Sequence, residues 1–466
     1  MDSMNNTKLK EFNNSLKNKK VAIIGLGVSN KPLIEYLYNL QAEITVFDNK
    51  EKDKIDSEIL TQLEKYQINQ SFGKNYLSKL KGFDIIFKSP SCRYDLPEIE
   101  EEVKNGAKLT SEIELVLELS PCKIIGVTGS DGKTTTTSLI YEILKNKYKC
   151  YLGGNIGIPL FTKISEMKPE DIVVLELSSF QLMKMHHSPH ISVVTNVTPN
   201  HLDIHKSYEE YIEAKKNIFK NQNENHLLIL NYDNDITREF AKHAKGKVIL
   251  FSSKEKLSDG VIYHDNIVKS CEDGLRRHII KLKDTHLRGV HNAENICAAI
   301  AATSSLVSIE EQVEAIKQFT GVEHRIEFVK EIDGAKWYND SIASSPTRTI
   351  AGLKAFTEEI VLIAGGYDKH LDYEPIAEPI IDNVKTLILM GQTSNKILGV
   401  VQNKLNEKGM ELPIYKVESL EEAVKKAKEN AKPGQIVLFS PASASFDMFK
   451  NFEERGRKFK ELIEKM

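Results

Sequence analysis

Cysteine is scarce. Cys92, Cys122, Cys150, Cys271 and Cys297 are scattered through 466 residues with no CxxC pair. An odd, sparse set argues against a disulfide frame or a zinc site and fits reduced thiols in the cytoplasm. No apolar run approaches the roughly 20 residues of a membrane span. The stretch through Asn18 is polar and lysine-bearing, without the apolar segment of a secretory signal. An excess of one charge is missing too. A formal net charge of −3 gives no reason to expect nucleic acid or an anionic membrane as partner. There is no short-period repeat and no low-complexity linker. What remains is a soluble globular composition, 41% hydrophobic and 28% charged, on a chain too long for one ordinary core. Two or three domains are expected.

Three blocks of strand–helix alternation predict α/β domains with mostly parallel sheets. The first holds Val21–Ile24, Ile44–Phe47 and Ile85–Phe87; the second holds Ile124–Ile125, Ile172–Leu175 and Ile191–Val194. The third holds Ile360–Ile363, Thr386–Leu389 and Ile436–Phe439, and boundaries are expected near 110 and 321. That gives domains 1–110, 111–321 and 322–466, the outer two Rossmann-like and the central one of the phosphate-loop ATPase type. In the first block, Gly25-Leu26-Gly27 follows a strand and Asp48 ends the next, the spacing of a ribose-contacting acid. The third glycine position is Asn30, so the fingerprint is partial. It suits some nucleotide, NAD(P) being one candidate, or a tight turn with no ligand.

Gly126-Val127-Thr128-Gly129-Ser130-Asp131-Gly132-Lys133-Thr134 lies between an apolar strand and a helical stripe of Leu139, Ile140, Ile143 and Leu144. Such a turn converges backbone N–H groups on phosphate at the positive end of a helix. Lys133 would reach the terminal phosphates and the Thr134 hydroxyl a metal ion. Val127 stands where the strict pattern asks for glycine; a turn without nucleotide is the plainer reading, disfavoured by its flanks. Glu176, after Ile172–Leu175, would deliver a carboxylate for Mg²⁺ or simply face solvent. His201 follows a strand ending near Asn196 and falls in the same crevice, unless it is an ordinary surface or core histidine.

Ser207-Tyr208-Glu209-Glu210 reads as a capping box opening a helix. Lys215 falls on its apolar stripe with Tyr208, Tyr211, Ile212, Ile218 and Phe219, whereas Lys216 points about 100° away. A lysine on a buried face is costly unless paired, neutralised or modified; on geometry alone its ammonium snorkels to water.

These segments, in order, resemble the motifs of the muramyl ligases. They are Gly126 to Thr134, Gly153-Gly154-Asn155-Ile156-Gly157, Glu176-Leu177-Ser178-Ser179-Phe180-Gln181-Leu182 and Asn196 to Asp203. Tyr211 to Lys215, His291 to Asn295, His324-Arg325 and Ser440 to Phe452 continue the series along essentially the whole chain. The Gln181 segment and the C-terminal motif resemble the D-glutamate-adding branch. The resemblance implies a magnesium-dependent ligase, monomeric, working on UDP-N-acetylmuramoyl-L-alanine and D-glutamate through an acyl phosphate. Gly129, Ser130, Asp131, Gly132, Lys133, Thr134 and Thr135 would hold the ATP phosphates, Asn292 and Asn295 the adenine end, and Arg325 and Asp340 the ATP from the third domain. Thr134 and Glu176 would share one Mg²⁺, with His201 and a carbamylated Lys215 on a second. Val28, Ser29, Asn30, Asp48 and Ser89 would receive the UDP moiety, with Asn155 and Ser178 further along that substrate. Lys369, Ser445, Phe446 and Phe452 would form the D-glutamate pocket. The third domain is expected to close over the central one during turnover.

Three positions depart from that pattern. Asp340-Ser341-Ile342-Ala343-Ser344 lacks the usual lysine, for which Arg348 is a substitute or merely a solvated arginine. Asp131 stands where asparagine is frequent, and Ser89-Pro90-Ser91-Cys92 lacks a glycine. The alternatives are a sister ligase with another amino acid, folylpolyglutamate synthase, a regulator with a disabled site, and an NAD-dependent oxidoreductase.

Overall fold

A parallel strand covered by helices on both faces has no polar side, so it reads as an unbroken apolar run. The runs above behave this way in a computed structural model that describes residues 6–199 and 204–466. The first sheet contains β1 (Lys20–Ile24), β2 (Glu43–Asp48), β3 (Asn69–Phe72), β4 (Ile85–Lys88) and β5 (Lys108–Thr110), ordered β3-β2-β1-β4-β5. All its pairings are parallel. Strand order reverses between β1 and β4, the place where open α/β sheets take ligands beyond their carboxyl ends.

The second sheet contains β6 (Lys123–Thr128), β7 (Cys150–Gly154), β8 (Ile172–Glu176), β9 (Ile191–Val194), β10 (Leu227–Asn231), β11 (Lys247–Ser252), β12 (Gly260–His264), β13 (Ile267–Glu272) and β14 (Leu275–Lys281). Its order is β14-β13-β12-β11-β10-β9-β6-β8-β7. β6 lies between β8 and β9 with parallel register to both, so the turns after all three open on one edge. The third sheet contains β15 (Glu327–Ile332), β16 (Ala335–Asn339), β17 (Ile360–Gly365), β18 (Val384–Met390), β19 (Ile414–Lys416) and β20 (Ile436–Phe439), ordered β15-β16-β20-β17-β18-β19. Only β15 runs antiparallel to its neighbour.

The chain divides into two compact units, Met1–Ile280 with Glu294–Val313, and Lys281–Ala293 with Glu314–Met466. Within the first unit, the core runs without a break from the β1–β5 sheet to the β6–β9 strands. Phe161 is its aromatic hinge pin, 1% exposed, with Phe12, Tyr36 and Phe87 at ring distances of 6.0, 4.9 and 6.4 Å. Its amide and that of Leu160 both donate to Glu112 Oε1, at 2.9 and 2.6 Å. The second unit has its own core, which contains Trp337, the single tryptophan of the sequence.

Replacing Phe161 by alanine removes a large buried ring from this junction. The expected cost is about 3–5 kcal/mol, read as a lowered urea midpoint in far-ultraviolet circular dichroism. A change below about 1 kcal/mol would show that the junction tolerates the cavity.

Candidate active site

β6 ends at Thr128 and the helix Lys133–Leu144 begins after Gly132, whose φ of +78° is a conformation side chains rarely adopt. A Cβ on Gly132 would collide with Asn295 Oδ1, and one on Gly129 with Thr195 Oγ1. Both glycines are therefore required by close approach as well as by backbone shape. Asn196 braces the turn from the end of β9: its Oδ1 accepts from the amides of Ser130 (3.2 Å) and Asp131 (2.9 Å). Those two amides are spent within the protein. The amides of the first helical turn, from Gly132 on, are then the ones positioned for an anion. Ser130 Oγ is shared with Tyr211 Oη at 2.8 Å and donates to the Thr198 carbonyl at 2.9 Å. Lys133 curls back, its Nζ donating to the Gly129 and Ser130 carbonyls at 2.9 Å each. A phosphate oxygen is a stronger acceptor than a carbonyl and would compete for it.

Glu176, at the end of β8, is 1% exposed. Its Oε1 accepts from Asn155 Nδ2 at 2.7 Å, while Oε2 is buried without a hydrogen-bond partner. A buried carboxylate oxygen left in this state is costly and is the kind of hard donor that Mg²⁺ takes, so the residues present fit such an ion. Among the described residues no group of three or more His, Cys, Asp and Glu side chains could hold a metal. The Thr134 hydroxyl, in the first turn of the helix after the loop, is a further hard donor that would suit such an ion. His201 lies outside the described residues. Ser178 caps the short helix Ser179–Leu182 in a reciprocal capping box with Gln181.

The helix Tyr208–Lys220 carries Lys215 inward, as its apolar stripe predicts. Lys215 is 1% exposed, whereas Lys216 is only half-buried and pairs with Glu213. Lys215 Nζ donates to the Gly129 carbonyl at 2.6 Å and lies 4.6 Å from the Tyr211 ring centroid. It does not snorkel. Burial, and next the charge of Lys133, push its ammonium well below the usual lysine range, with Asp131 and Glu176 opposing. The Ser207 cap forms, with its Oγ accepting from the Glu210 amide at 3.3 Å, but the return bond of a capping box does not. The Glu210 carboxylate goes instead to the Lys206 amide and to Arg93.

In the first sheet, the residues expected to meet UDP surround a cavity of about 380 Å³ that includes Gly25–Asn30, Asp48–Lys50 and Ser89–Cys92. The carboxylate of Asp48 is already engaged: its Oδ2 accepts from the Leu26 amide at 2.8 Å and its Oδ1 from the Lys50 amide at 3.0 Å. Asn30, fully buried in the third glycine position, donates Nδ2 to the carbonyls of Ile24 and Gly25 at 3.1 and 2.9 Å. Both residues hold the turn. Val28, 77% exposed, and the neighbouring Ser29 are left at the rim. Ser89 is buried, its Oγ 3.1 Å from Ser91 Oγ.

In the second unit, Asp340 follows β16 and is buried, accepting from Ser440 Oγ at 2.7 Å and the Ile326 amide at 3.2 Å. Burial pushes its carboxyl up to about 7, against the pull of those bonds and of Arg325. Asn292 Nδ2 donates to the Arg288 carbonyl at 2.7 Å. Lys369 Nζ lies 5.5 Å from the Phe446 ring centroid, and Phe446, 58% exposed, meets Tyr367 edge-on. Phe452 turns its ring to His324 at 6.1 Å, and its carbonyl accepts from Ser341 Oγ at 2.8 Å. Lys369, Ser445 and Phe446 thus sit at the mouths of the β17 and β20 turns, with Phe452 toward the β16 turn. Arg348 donates to the Ile342 carbonyl at 3.1 Å, bracing the loop that lacks the lysine.

The sequence shows Asn196 only as part of a motif and does not mark Arg455 at all. Arg455, 1% exposed, donates to Ser341 Oγ, to the Ser341, Ser443 and Ala444 carbonyls, and so ties together the loops after β16 and β20. Nothing in its spacing marks it, because all its partners are distant in sequence or lie in a turn.

Family models match in three stretches: the Mur ligase MurD-like N-terminal domain over residues 19–111, the Mur ligase middle domain over 127–303, and the Mur ligase glutamate ligase domain over 324–443. The UDP-N-acetylmuramoylalanine–D-glutamate ligase of Acetivibrio thermocellus is 54% identical, over 98% of this chain and 99% of its own. The protein of that name from Clostridium novyi is 50% identical, over 97% and 98%. Among solved structures, the UDP-N-acetylmuramate-alanine ligase MurC of Thermotoga maritima shares the fold with a TM-score of 0.57 at 21% identity, covering 96% of this chain and 99% of its own. The MurF ligase of that organism, solved with ADP, shares it at 0.53 and 18% identity, covering 97% of each.

Removing the Asn196 side chain takes the acceptor from the Asp131 amide, whereas the Ser130 amide keeps the Asn196 backbone carbonyl at 2.9 Å; the bond lost is worth about 1 kcal/mol. Asn196→Ala is expected to weaken ADP binding by about fivefold in titration calorimetry; unchanged affinity would show that the loop holds its shape without it. Asp340 gives a pH test. Its folded value lies above the ordinary 3.8, so its stabilising contribution is fully present below that pH and is lost as pH rises through about 7. The stability of the wild type relative to Asp340→Asn should fall between pH 4.5 and 8 by on the order of a few kcal/mol, followed in urea by Trp337 fluorescence. A difference independent of pH would contradict the burial argument.

Proposed function

The chain belongs to the Mur ligase family, and from that premise we propose how its residues carry out the family's amide-forming chemistry. It is an ATP-dependent ligase of peptidoglycan precursor synthesis that joins D-glutamate to UDP-N-acetylmuramoyl-L-alanine. The observation that carries this specificity is 54% identity, across 98% of the chain, with a relative named for that reaction.

A carboxylate is a poor acyl donor because its leaving group would be oxide. Transfer of the ATP γ-phosphoryl to the L-alanyl carboxylate makes an acyl phosphate, whose leaving group is phosphate. The D-glutamate amine then attacks the carbonyl carbon, loses a proton, and the tetrahedral adduct collapses to amide and phosphate. The first step brings two anions together, so its barrier is mainly electrostatic and positional. Lys133 answers that need by exchanging the Gly129 and Ser130 carbonyls for phosphate oxygens, beside the helix N-terminus formed by Gly132, Thr134 and Thr135. Bound Mg²⁺ would neutralise charge between the phosphates and the acceptor, held by Thr134 and Glu176, with His201 and Lys215 at a second ion. Lys215 takes that role as a carbamate: its burial favours the neutral amine, the form that adds carbon dioxide, and removes the cost of an enclosed ammonium.

The remaining assignments follow the same reading. Asn292 and Asn295 meet the adenine end, and Arg325 and Asp340 the ATP. Val28, Ser29, Asn30, Asp48 and Ser89 shape the UDP cavity, Asp48 and Asn30 through the backbone they hold. Asn155 and Ser178 lie along the muramoyl part, and Lys369, Ser445, Phe446 and Phe452 receive D-glutamate. Three domains, 1–110, 111–321 and 322–466, would divide the substrates. We place the enzyme in the cytoplasm as a monomer, consistent with five free cysteines and no described helix long and apolar enough to cross a membrane.

Phosphate release from ATP with UDP-N-acetylmuramoyl-L-alanine is expected with D-glutamate and not with L-alanine or a diamino acid. Activity with another amino acid alone would overturn the specificity. Hydroxylamine added in place of D-glutamate should yield a hydroxamate. Lys215→Ala should lose on the order of 10²–10³-fold in kcat, and unchanged turnover, with or without bicarbonate, would defeat the carbamate.

A further inference from the structure

The turn Ser89–Cys92 that lines the first-sheet cavity runs straight into Arg93. Arg93 leaves its own domain's loops and grips the central block. Its Nε and Nη2 hold Asp95 Oδ1 and Oδ2 at 2.8 and 2.9 Å, a bidentate pair that fixes the guanidinium plane. The other edge faces the central block, with Nη2 donating to Glu210 Oε1 at 2.8 Å and Nη1 to the Ile204 carbonyl at 2.9 Å. Lys206 closes the ring, its amide donating to Glu210 Oε2 at 2.7 Å and its ammonium pairing with Asp95.

Isolated surface ion pairs contribute little, but bidentate pairs joined in a network are the exception. The side chains of Arg93, Asp95 and Glu210 are only 21%, 11% and 20% exposed.

What this network holds is the first turn of the helix Tyr208–Lys220. The next residue of that turn, Tyr211, bonds Ser130 Oγ of the phosphate loop, and Lys215 further along bonds the Gly129 carbonyl. A branch runs through His205, with its Nδ1 3.5 Å from Glu210 Oε2 and its Nε2 2.9 Å from Ser179 Oγ, beside Ser178. One guanidinium therefore joins the turn of the nucleotide-sugar cavity to the helix that fastens the phosphate loop. A movement of either turn must be accommodated by the other.

We propose that Arg93 is a positioning residue through which occupation of the nucleotide-sugar cavity is transmitted to the phosphate loop, making binding of the two nucleotides interdependent. The proposal rests on the ligase reading above for the identity of the ligands. Coupling of this kind is reciprocal, so it can be measured from either side. Arginine is needed, since one ammonium cannot span two carboxylates and a carbonyl with fixed geometry.

The test is titration calorimetry of ADP with magnesium, alone and with saturating UDP-N-acetylmuramoyl-L-alanine. In the wild type the acceptor is expected to change ADP affinity on the order of tenfold. In Arg93→Met and in Arg93→Lys that factor should shrink to about twofold or less, while ADP alone binds nearly as in the wild type. Glu210→Gln, which keeps shape and loses charge, should behave the same way. The double variant Arg93→Met/Glu210→Gln should lose no more than either single one. A merely structural role would instead lower the melting temperature and leave the factor intact. Persistence of the factor in Arg93→Met and Glu210→Gln overturns the proposal, as does its absence in the wild type. Failure of the wild type to bind either ligand would bring down the ligase reading itself.

Discussion

The carbonyl of Gly129 accepts two ammonium groups, from Lys133 and from Lys215, and the geometry of the site is organised around it. Lys133 reaches it from the helix that the loop opens, and Lys215 from a helix that starts some eighty residues later. Lys215 has to be buried to make the bond, and burial makes its charged form unfavourable. The same contact that secures the loop thus sets the chemical state of the lysine. Glu176, with one oxygen satisfied by Asn155 and the other by no protein group, supplies the opposite charge. Such an arrangement is poor for stability by itself and suits a site that would take up cations and phosphates.

Around that point the backbone is held from several directions. Asn196 takes two amides of the loop, Thr195 and Asn295 fill the space that side chains at Gly129 and Gly132 would need, and Tyr211 reaches Ser130. Thr195 and Asn196 come from the end of β9, and Asn295 and Tyr211 from two different helices of the central block. Electrostatic help at a transferring phosphoryl group depends on dipoles that do not reorganise, and packing of this density is what keeps them in place.

Much of this was legible in the sequence. Buried parallel strands announce themselves as apolar runs, and the helical stripe separated Lys215 from Lys216 correctly because burial follows helical periodicity. The details that the sequence does not display share a cause. Ser207 caps its helix as expected, but Glu210 does not complete the box, because Arg93, more than a hundred residues earlier, offers a stronger partner than the cap amide. Asp48 has the spacing of a ribose-contacting acid, and the spacing does not disclose that each of its oxygens also accepts from an amide of a neighbouring turn. Arg455 carries no pattern at all. Local spacing says where a side chain starts; which groups from remote segments it meets is decided by the packing of sheets, and a single sequence does not display that.

The engagement of Asp48 and Asn30 bears on how small molecules could block the enzyme. A compound drawn to exploit that acid with a pair of hydroxyls would have to share each oxygen with a backbone amide that is already there and leave the glycine turn latched. Compounds that leave the acid alone and lean on the exposed Val28 side of the rim face no such sharing.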